Sequence, residues 1–416
     1  MHGFWSLVCL LGFAARGALS QKTFSFITLG DWGGADTKPA YAANVKKVAK
    51  QMAKTANAAN AKFVVNTGDS FYWCGLKSLQ DQQIQKDFTG PFGTMPKIPW
   101  YSVLGNHGYG YSADVQVQYS GVNPQWIMPS RYYTKRVLVD SATSTHISFI
   151  FLDTSPCIKM YRATNAANYD PCGTKMPTCS LSGGDDDFEG TCDFHQNIMS
   201  QSCDQQFSWF QTALSNVPSN DWLIVVGHHP ADEINVKDFT TAMQKRGFSL
   251  YLNGHAHTLT QYTIDNAGAY ITSGAGSLVN TPDQNGALMQ RKLNGDREVF
   301  MNENEDGSYA PLTAYEYWSG RDYYGAYKSR YSSSASSSSS SSSRHTYQTV
   351  FNKKVAGFTL HTFSTDFKTL KTQFLSYDGA VQHTFSVNRR GKVSSAGGWW
   401  GYVSSLIDTA RRLVGL

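Results

Sequence analysis

Between Thr23 and Leu29 apolar and polar residues alternate, and the run stops at Gly30-Asp31-Trp32-Gly33-Gly34. Alternation of this kind predicts a β-strand with one face in a core, here delivering a Gly-Asp turn at its carboxyl end. From Ala42 to Ala61 the chain is rich in Ala and Lys, with Val45, Val48, Ala49 and Met52 at helical spacing, which predicts an amphipathic helix. The apolar, partly β-branched run Lys62–Thr67 then predicts a buried strand leading into Gly68-Asp69-Ser70-Phe71-Tyr72-Trp73, so the chain opens as a βαβ unit.

The same grammar recurs downstream. Trp100–Leu104 leads into Gly105-Asn106-His107, and His146–Leu152 ends at Asp153. A helical stretch around Gln205–Leu214 precedes Asp221–Val226, which delivers Gly227-His228-His229-Pro230, and Phe248–Leu252 delivers Asn253-Gly254-His255-Ala256-His257. Strands that repeatedly end in turns carrying Asp, Asn or His are expected where the carboxyl ends of sheet strands carry a site. From Gln290 to about Asn352 the pattern weakens, and Ser332–Ser343 is almost pure serine, a tract unable to contribute to a core. Alternation resumes at Gly357–Phe363 and continues through Val387, and Trp399–Leu416 reads as a short amphipathic helix.

Composition narrows the classes. With 416 residues, 41% hydrophobic and 13% aromatic, the chain can bury a large core, and one large domain with insertions fits as well as two. A formal charge of +5 without a dense basic stripe gives no sign of nucleic-acid binding. Residues 1–20 read as a secretory signal, with an apolar Phe4–Ala15 run and small residues at Ala18-Leu19-Ser20, too short to span a bilayer. The mature chain would then keep six of its seven cysteines and no transmembrane segment. Five of the six lie between Cys157 and Cys203 in a Gly/Asn/Asp-rich stretch, where disulfides are expected to staple an insertion, in a pairing the sequence does not choose. The absence of any Cys-x-x-Cys pair argues against zinc there. No Asn-x-Ser/Thr acceptor occurs, so the final compartment, secreted or lysosome/vacuole-like, stays open.

A single Gly-Asp pair is more often a cap or an Asx turn than a metal site, and a single histidine is more often structural. Together, however, Asp31, Asp69, Tyr72, Asn106, His228, His255 and His257 form a seven-donor set from five turns, a chemistry suited to two adjacent Zn, Fe or Mn ions. The blocks Gly30-Asp31-Trp32-Gly33, Gly68-Asp69-x-x-Tyr72, Gly105-Asn106-His107, Gly227-His228 and Gly254-His255-x-His257 resemble the five ordered motifs of the calcineurin-like metallophosphoesterases. Tyr72 narrows the resemblance to the purple acid phosphatases, especially the tartrate-resistant type, over roughly residues 23–390.

This resemblance implies an α/β fold of two mixed β-sheets packed face to face with flanking helices, in a catalytic domain at 21–392. That domain would carry a Cys-rich insertion at about 157–203 and a Ser-rich loop at about 330–345, and residues 393–416 would form a tail. It also implies an Fe(III) held by Asp31, Tyr72 and His257, a divalent Fe, Zn or Mn held by Asn106, His228 and His255, and a bridging Asp69. The activity implied is hydrolysis of small phosphate monoesters by attack of a metal-bound hydroxide, with Asn106 and His107 as substrate contacts and His107 protonating the leaving group; His229 is read either as a second substrate-contacting imidazole or as a packed loop residue. The chain departs from the family's usual pattern at four places: Gly108 stands for an Asp after Asn-His, Ala256 for an Asp, His229 for an aromatic, and Lys237 near a usual substrate-binding histidine. Two other activities stay open, a non-catalytic scaffold on the same fold and a phosphodiesterase or nucleotide hydrolase. Asp153 is expected as a strand-end cap and Gly183–Asp187 as a solvated turn. Oligomeric state is not indicated.

Overall fold

The computed structural model describes residues 23–34, 39–72, 74–162, 194–277, 279, 290–294, 297–303, 309–311 and 345–395. The expected signal segment, Trp73, Gly183–Asp187, the serine tract and the tail beyond Ser395 lie outside them, while the first three residues of the expected tail, Val393–Ser395, form a strand. In chain order the elements begin with β1 (Ser25–Leu29), α1 (Pro39–Ala58), β2 (Ala61–Asn66), β3 (Trp100–Ser102), α2 (Ala113–Tyr119), β4 (Trp126–Ile127), β5 (Tyr133–Asp140) and β6 (Thr145–Phe151). Then come α3 (Phe194–Met199), α4 (Cys203–Asn216), β7 (Trp222–Val226), α5 (Phe239–Arg246), β8 (Leu250–Asn253), β9 (Leu259–Ile264) and β10 (Ala267–Ser273). The described remainder is β-structure: β11 (Gln290–Asn294), β12 (Arg297–Glu303), β13 (Tyr309–Pro311), β14 (Tyr347–Lys353), β15 (Gly357–Phe363), β16 (Thr369–Ser376), β17 (Val381–Asn388) and β18 (Val393–Ser395).

Two mixed sheets dominate. One has the order β18-β17-β16-β15-β1-β2-β3-β4, the other β14-β9-β10-β8-β7-β6-β5. In the first, β1 to β4 run parallel; in the second, β6, β7, β8 and β10 do. Parallel strands covered on both faces read as near-continuous apolar runs, which is why these were the visible ones: β1 and β7 are buried at every position. Aromatic rings interdigitate between the sheets, with Phe26 and Phe63 edge-on to Phe149 at 6.0 and 5.6 Å, and Trp222 against Phe363 at 5.0 Å. On α1 the predicted stripe of Val45, Val48, Ala49 and Met52 is fully buried, each Val or Met side chain contributing roughly 1.5–3 kcal/mol by leaving water.

Within Gln290 to Asn352 the described residues form β11–β13, a three-stranded sheet, and most of β14, strands that the weak pattern does not indicate. Polar runs such as Gln290-Arg291-Lys292 give no alternation to read. The edge strand β5 also escapes sequence reading, because much of it is exposed. The β9–β10 hairpin turns on Asp265 and Asn266, both at φ 56°, the left-handed pair that a two-residue hairpin turn needs.

Candidate metal centre

The parallel strands of both sheets point their carboxyl ends at one place. The turn after β1 carries Asp31, that after β2 carries Asp69 and Tyr72, and that after β3 carries Asn106 and His107. From the second sheet, β7 delivers His228 and His229, and β8 delivers His255 and His257. Backbone bonds lace these turns together: Asp31 N–H donates to Gly68 O at 3.0 Å and Gly254 N–H to His228 O at 2.9 Å. Across the sheets, Gly30 N–H donates to Ser273 O at 2.8 Å and Ser277 N–H to Asp31 O at 3.0 Å, so the Ser273–Ser277 segment clamps the first turn.

Four of the seven candidate donors are held in the left-handed backbone region: Asp31 (φ 57°), Asp69 (φ 49°), His255 (φ 67°) and His257 (φ 48°). Side chains other than glycine adopt that region at a cost of order 1–3 kcal/mol, and such residues cluster at functional sites. The neighbouring glycines have their own reason. A Cβ on Gly105 would lie 1.9 Å from Asp69 Oδ1, and one on Gly254 would lie 2.2 Å from Asp31 Oδ2, so both carboxylates sit against bare backbone.

All seven donors converge. On one side, Tyr72 OH lies 3.2 Å from Asp31 Oδ1 and 3.0 Å from His257 Nε2, with His257 Nε2 3.4 Å from Asp31 Oδ1. On the other, Asn106 Oδ1 lies 3.0 Å from His228 Nε2 and 3.1 Å from His255 Nδ1. Asp69 reaches both, its Oδ2 3.0 Å from His228 Nε2, its Oδ1 accepting the N–H of His107 at 3.0 Å, and a carboxylate oxygen within 4.8 Å of one of Asp31. Asp31, Asp69 and His228 offer ligand atoms within 4.8 Å of one another, as do His228, His229 and His255. Carboxylate, amide and imidazole acceptors facing one space in a buried site suit cations, and the donor types suit Fe, Zn or Mn.

The charges are coupled. Burial opposes ionisation of Asp69, yet His228 and His107 hold its carboxyl well below the usual range. Burial likewise opposes a charge on His228, but Asp69 outweighs it and raises the imidazole to about 9. Burial raises Asp31 above the ordinary value, and burial lowers His255 and His229 well below it. The Thr67 carbonyl oxygen lies 2.8 Å from His228 Nδ1 and can only accept, which fixes a proton there and leaves Nε2 to face the centre.

His107 is buried, its ring edge-on to Tyr72 at 4.5 Å and its Nε2 4.0 Å from Asp69 Oδ2. A Cβ on Gly108 would come within 2.7 Å of Gln116 Nε2, so glutamine fills the space beside the turn. His229 is fully buried, with Nδ1 2.8 Å from Thr154 Oγ1 and Nε2 2.9 Å from Tyr161 OH. Lys237 pairs with Asp204 at 2.5 Å on the surface. Asp153 is buried, accepts from Tyr109 OH, and lies 3.8 Å from Arg131; burial raises it to about 6. The next residue, Thr154, receives the N–H groups of His228 and His229 on its Oγ1, both at 3.2 Å.

Sequence reading missed Glu233. It is buried, its Oε2 lies 3.5 Å from His255 Nε2, and burial pushes its carboxyl well above the usual range. No spacing rule marks an acid on an irregular loop five residues after His228. In the Cys-rich segment, Cys157 and Cys203 form a disulfide, and Cys74 is bonded to a cysteine outside the described residues.

A family model, calcineurin-like phosphoesterase, matches residues 24–259, from the first strand through the last of the histidine turns. Tartrate-resistant acid phosphatase type 5 of Oryctolagus cuniculus is 27% identical over 295 residues, covering 67% of this chain and 82% of the relative. Purple acid phosphatase 3 of Arabidopsis thaliana is 30% identical over 274 residues, covering 62% and 64%. Among solved structures, GAP50, the anchor in the inner membrane complex of Plasmodium, superposes with a TM-score of 0.53 at 19% identity over 88% of this chain and 89% of that one. The chain belongs to the calcineurin-like phosphoesterase family, and its curated relatives are acid phosphatases.

Proposed function

We propose that this protein is a binuclear-metal acid phosphatase that hydrolyses small phosphate monoesters. The observation that carries the reading is the convergence of seven donors from five strand-end turns, four of them in strained left-handed backbone. The donor charges support a different metal in each half. Asp31 and Tyr72 supply a carboxylate and a phenol to one side, which suits Fe(III), because a phenol with a reference pKa near 10 becomes a ligand only beside a strong Lewis acid. Asn106, His228 and His255 supply neutral donors to the other, which suits a divalent Fe, Zn or Mn, and Asp69 serves both. When bound, such a pair acidifies a water into a nucleophile and polarises a phosphate oxygen.

The chain's own residues do the rest. His107, between Tyr72 and Asp69, is placed to donate a proton to the departing alkoxide, and Asn106 joins it at the phosphate. His229 has both ring nitrogens engaged by Thr154 and Tyr161, so its part is to pack behind His255 rather than to touch substrate. Residues 21–392 form the catalytic domain after a signal at 1–20, and the chain enters the secretory pathway for release or a lysosome/vacuole-like compartment; its disulfides support that route. No helix among the described residues is long and apolar enough to cross a membrane.

GAP50's overlap with this fold raises a second reading, a non-catalytic anchor. An aryl-phosphate assay across pH, run beside metal analysis of the purified protein, separates the two. Turnover that disappears with chelation and returns with metal supports the phosphatase; a metal-replete protein with no turnover on any phosphate ester would support the anchor.

A further inference from the structure

We infer that Glu233 is a positioning residue for the metal centre, its carboxyl oxygen holding the Nε2 edge of His255 so that Nδ1 faces Asn106 and His228. This rests on His255 being a metal ligand, as proposed above. The two edges of the imidazole have different company: Nδ1 lies 3.1 Å from Asn106 Oδ1, and Nε2 lies 3.5 Å from Glu233 Oε2. The face of the ring is covered by His229 at 4.4 Å between centroids, which restricts its rotation.

The loop that carries the acid is fastened on both sides. Tyr251 OH donates to His229 O at 2.7 Å, Ala231 N–H donates to Tyr262 OH at 3.1 Å, and Glu233 N–H donates to Pro230 O at 3.0 Å. Glu233 is therefore a buried acid held at the ring, 7% exposed, not a solvated surface group. His228 has only a neutral carbonyl behind it, at Thr67. Glu233 thus sets an acid oxygen against the outer edge of His255, on the half of the centre whose other histidine is backed by a backbone carbonyl. A carboxylate behind a ligating imidazole fixes ring orientation and raises its basicity.

The test is zinc affinity of the full chain, with iron in place, by competition against a chelator. Glu233→Ala is expected to weaken zinc binding by about 10–100-fold, the usual effect of removing such a partner. Glu233→Gln keeps an oxygen acceptor for Nε2–H and should lose clearly less. On a His255→Ala background, Glu233→Ala should cause no further loss, because the residue acts through that ring. Unchanged zinc affinity in Glu233→Ala, or an equal loss with and without His255, overturns the inference while leaving the metal centre standing. Unchanged affinity in His255→Ala alone overturns the ligand assignment itself, and this inference with it. Circular-dichroism melts of the metal-free variants check that each folds.

Discussion

Asp31, Tyr72 and His257 on one side of Asp69, and Asn106, His228 and His255 on the other, are supported differently. On the second side each histidine has a fixed outer partner, Thr67 O for His228 Nδ1 and Glu233 for His255 Nε2. On the first, His257 Nδ1 is buried with no hydrogen-bond partner among the described residues, and the donors lean on one another through Tyr72 OH. The first side instead carries the anionic chemistry, a carboxylate and an ionisable phenol. On the proposed function, one half would hold its metal by charge and the other by pre-set neutral ligands, so damage to either should fall on one ion only, and damage to Asp69 on both.

The largest effect is therefore expected at the shared residue. Asp69→Ala should lose both metals and lower turnover by at least ~10³-fold, beyond the ~10²–10³ that removal of one transition-state contact costs; retention of either ion by metal analysis would break the symmetry of the bridge. Gly105→Ala reaches the same carboxylate sterically, because its Cβ would fall 1.9 Å from Asp69 Oδ1. It should cost about 1–3 kcal/mol in an unfolding experiment, as overpacking does, and reduce occupancy on both sides.

Tyr72→Phe should act on one half alone. A phenolate on Fe(III) gives a visible charge-transfer band, so the variant should lose its colour while keeping its divalent ion and much of its stability, since ring volume is preserved. A visible spectrum identical to wild type removes Tyr72 from the iron.

Asp153 gives the most remote effect, one residue before Thr154, whose Oγ1 receives the N–H groups of His228 and His229. Its carboxyl rises from 3.8 to about 6 by burial. The folded state thus holds the proton more tightly than the unfolded one. The associated stability is fully present below pH 3.8 and is lost as pH rises through about 6, on the order of 2–3 kcal/mol in all. Asp153→Asn should flatten the pH dependence of unfolding over that window. A variant with the wild-type slope would place the responsible group elsewhere.

The central sheet strands and the turn residues were legible because buried parallel strands read as apolar runs and because Asp, Asn and His recur where those runs stop. The motif blocks in those turns carried the family resemblance, and that resemblance implied the two-sheet architecture the structure has. The β5 edge and the β11–β13 sheet were not legible, since strands outside the central layers need no apolar alternation. Pattern alone could not show that His229 has both nitrogens engaged, that Lys237 turns to Asp204, or that Glu233 is buried against His255. Each depends on which way a loop side chain points, and irregular segments have no period from which to read it.

The central claim is a pair of unlike metals joined by Asp69, and the most direct measurement is metal content of the purified wild type read together with its visible spectrum. The account predicts two metals per chain, at least one of them iron, and a purple-to-pink band that disappears in Tyr72→Phe. One metal per chain at saturation, or a fully iron-loaded protein without a visible band, would contradict it.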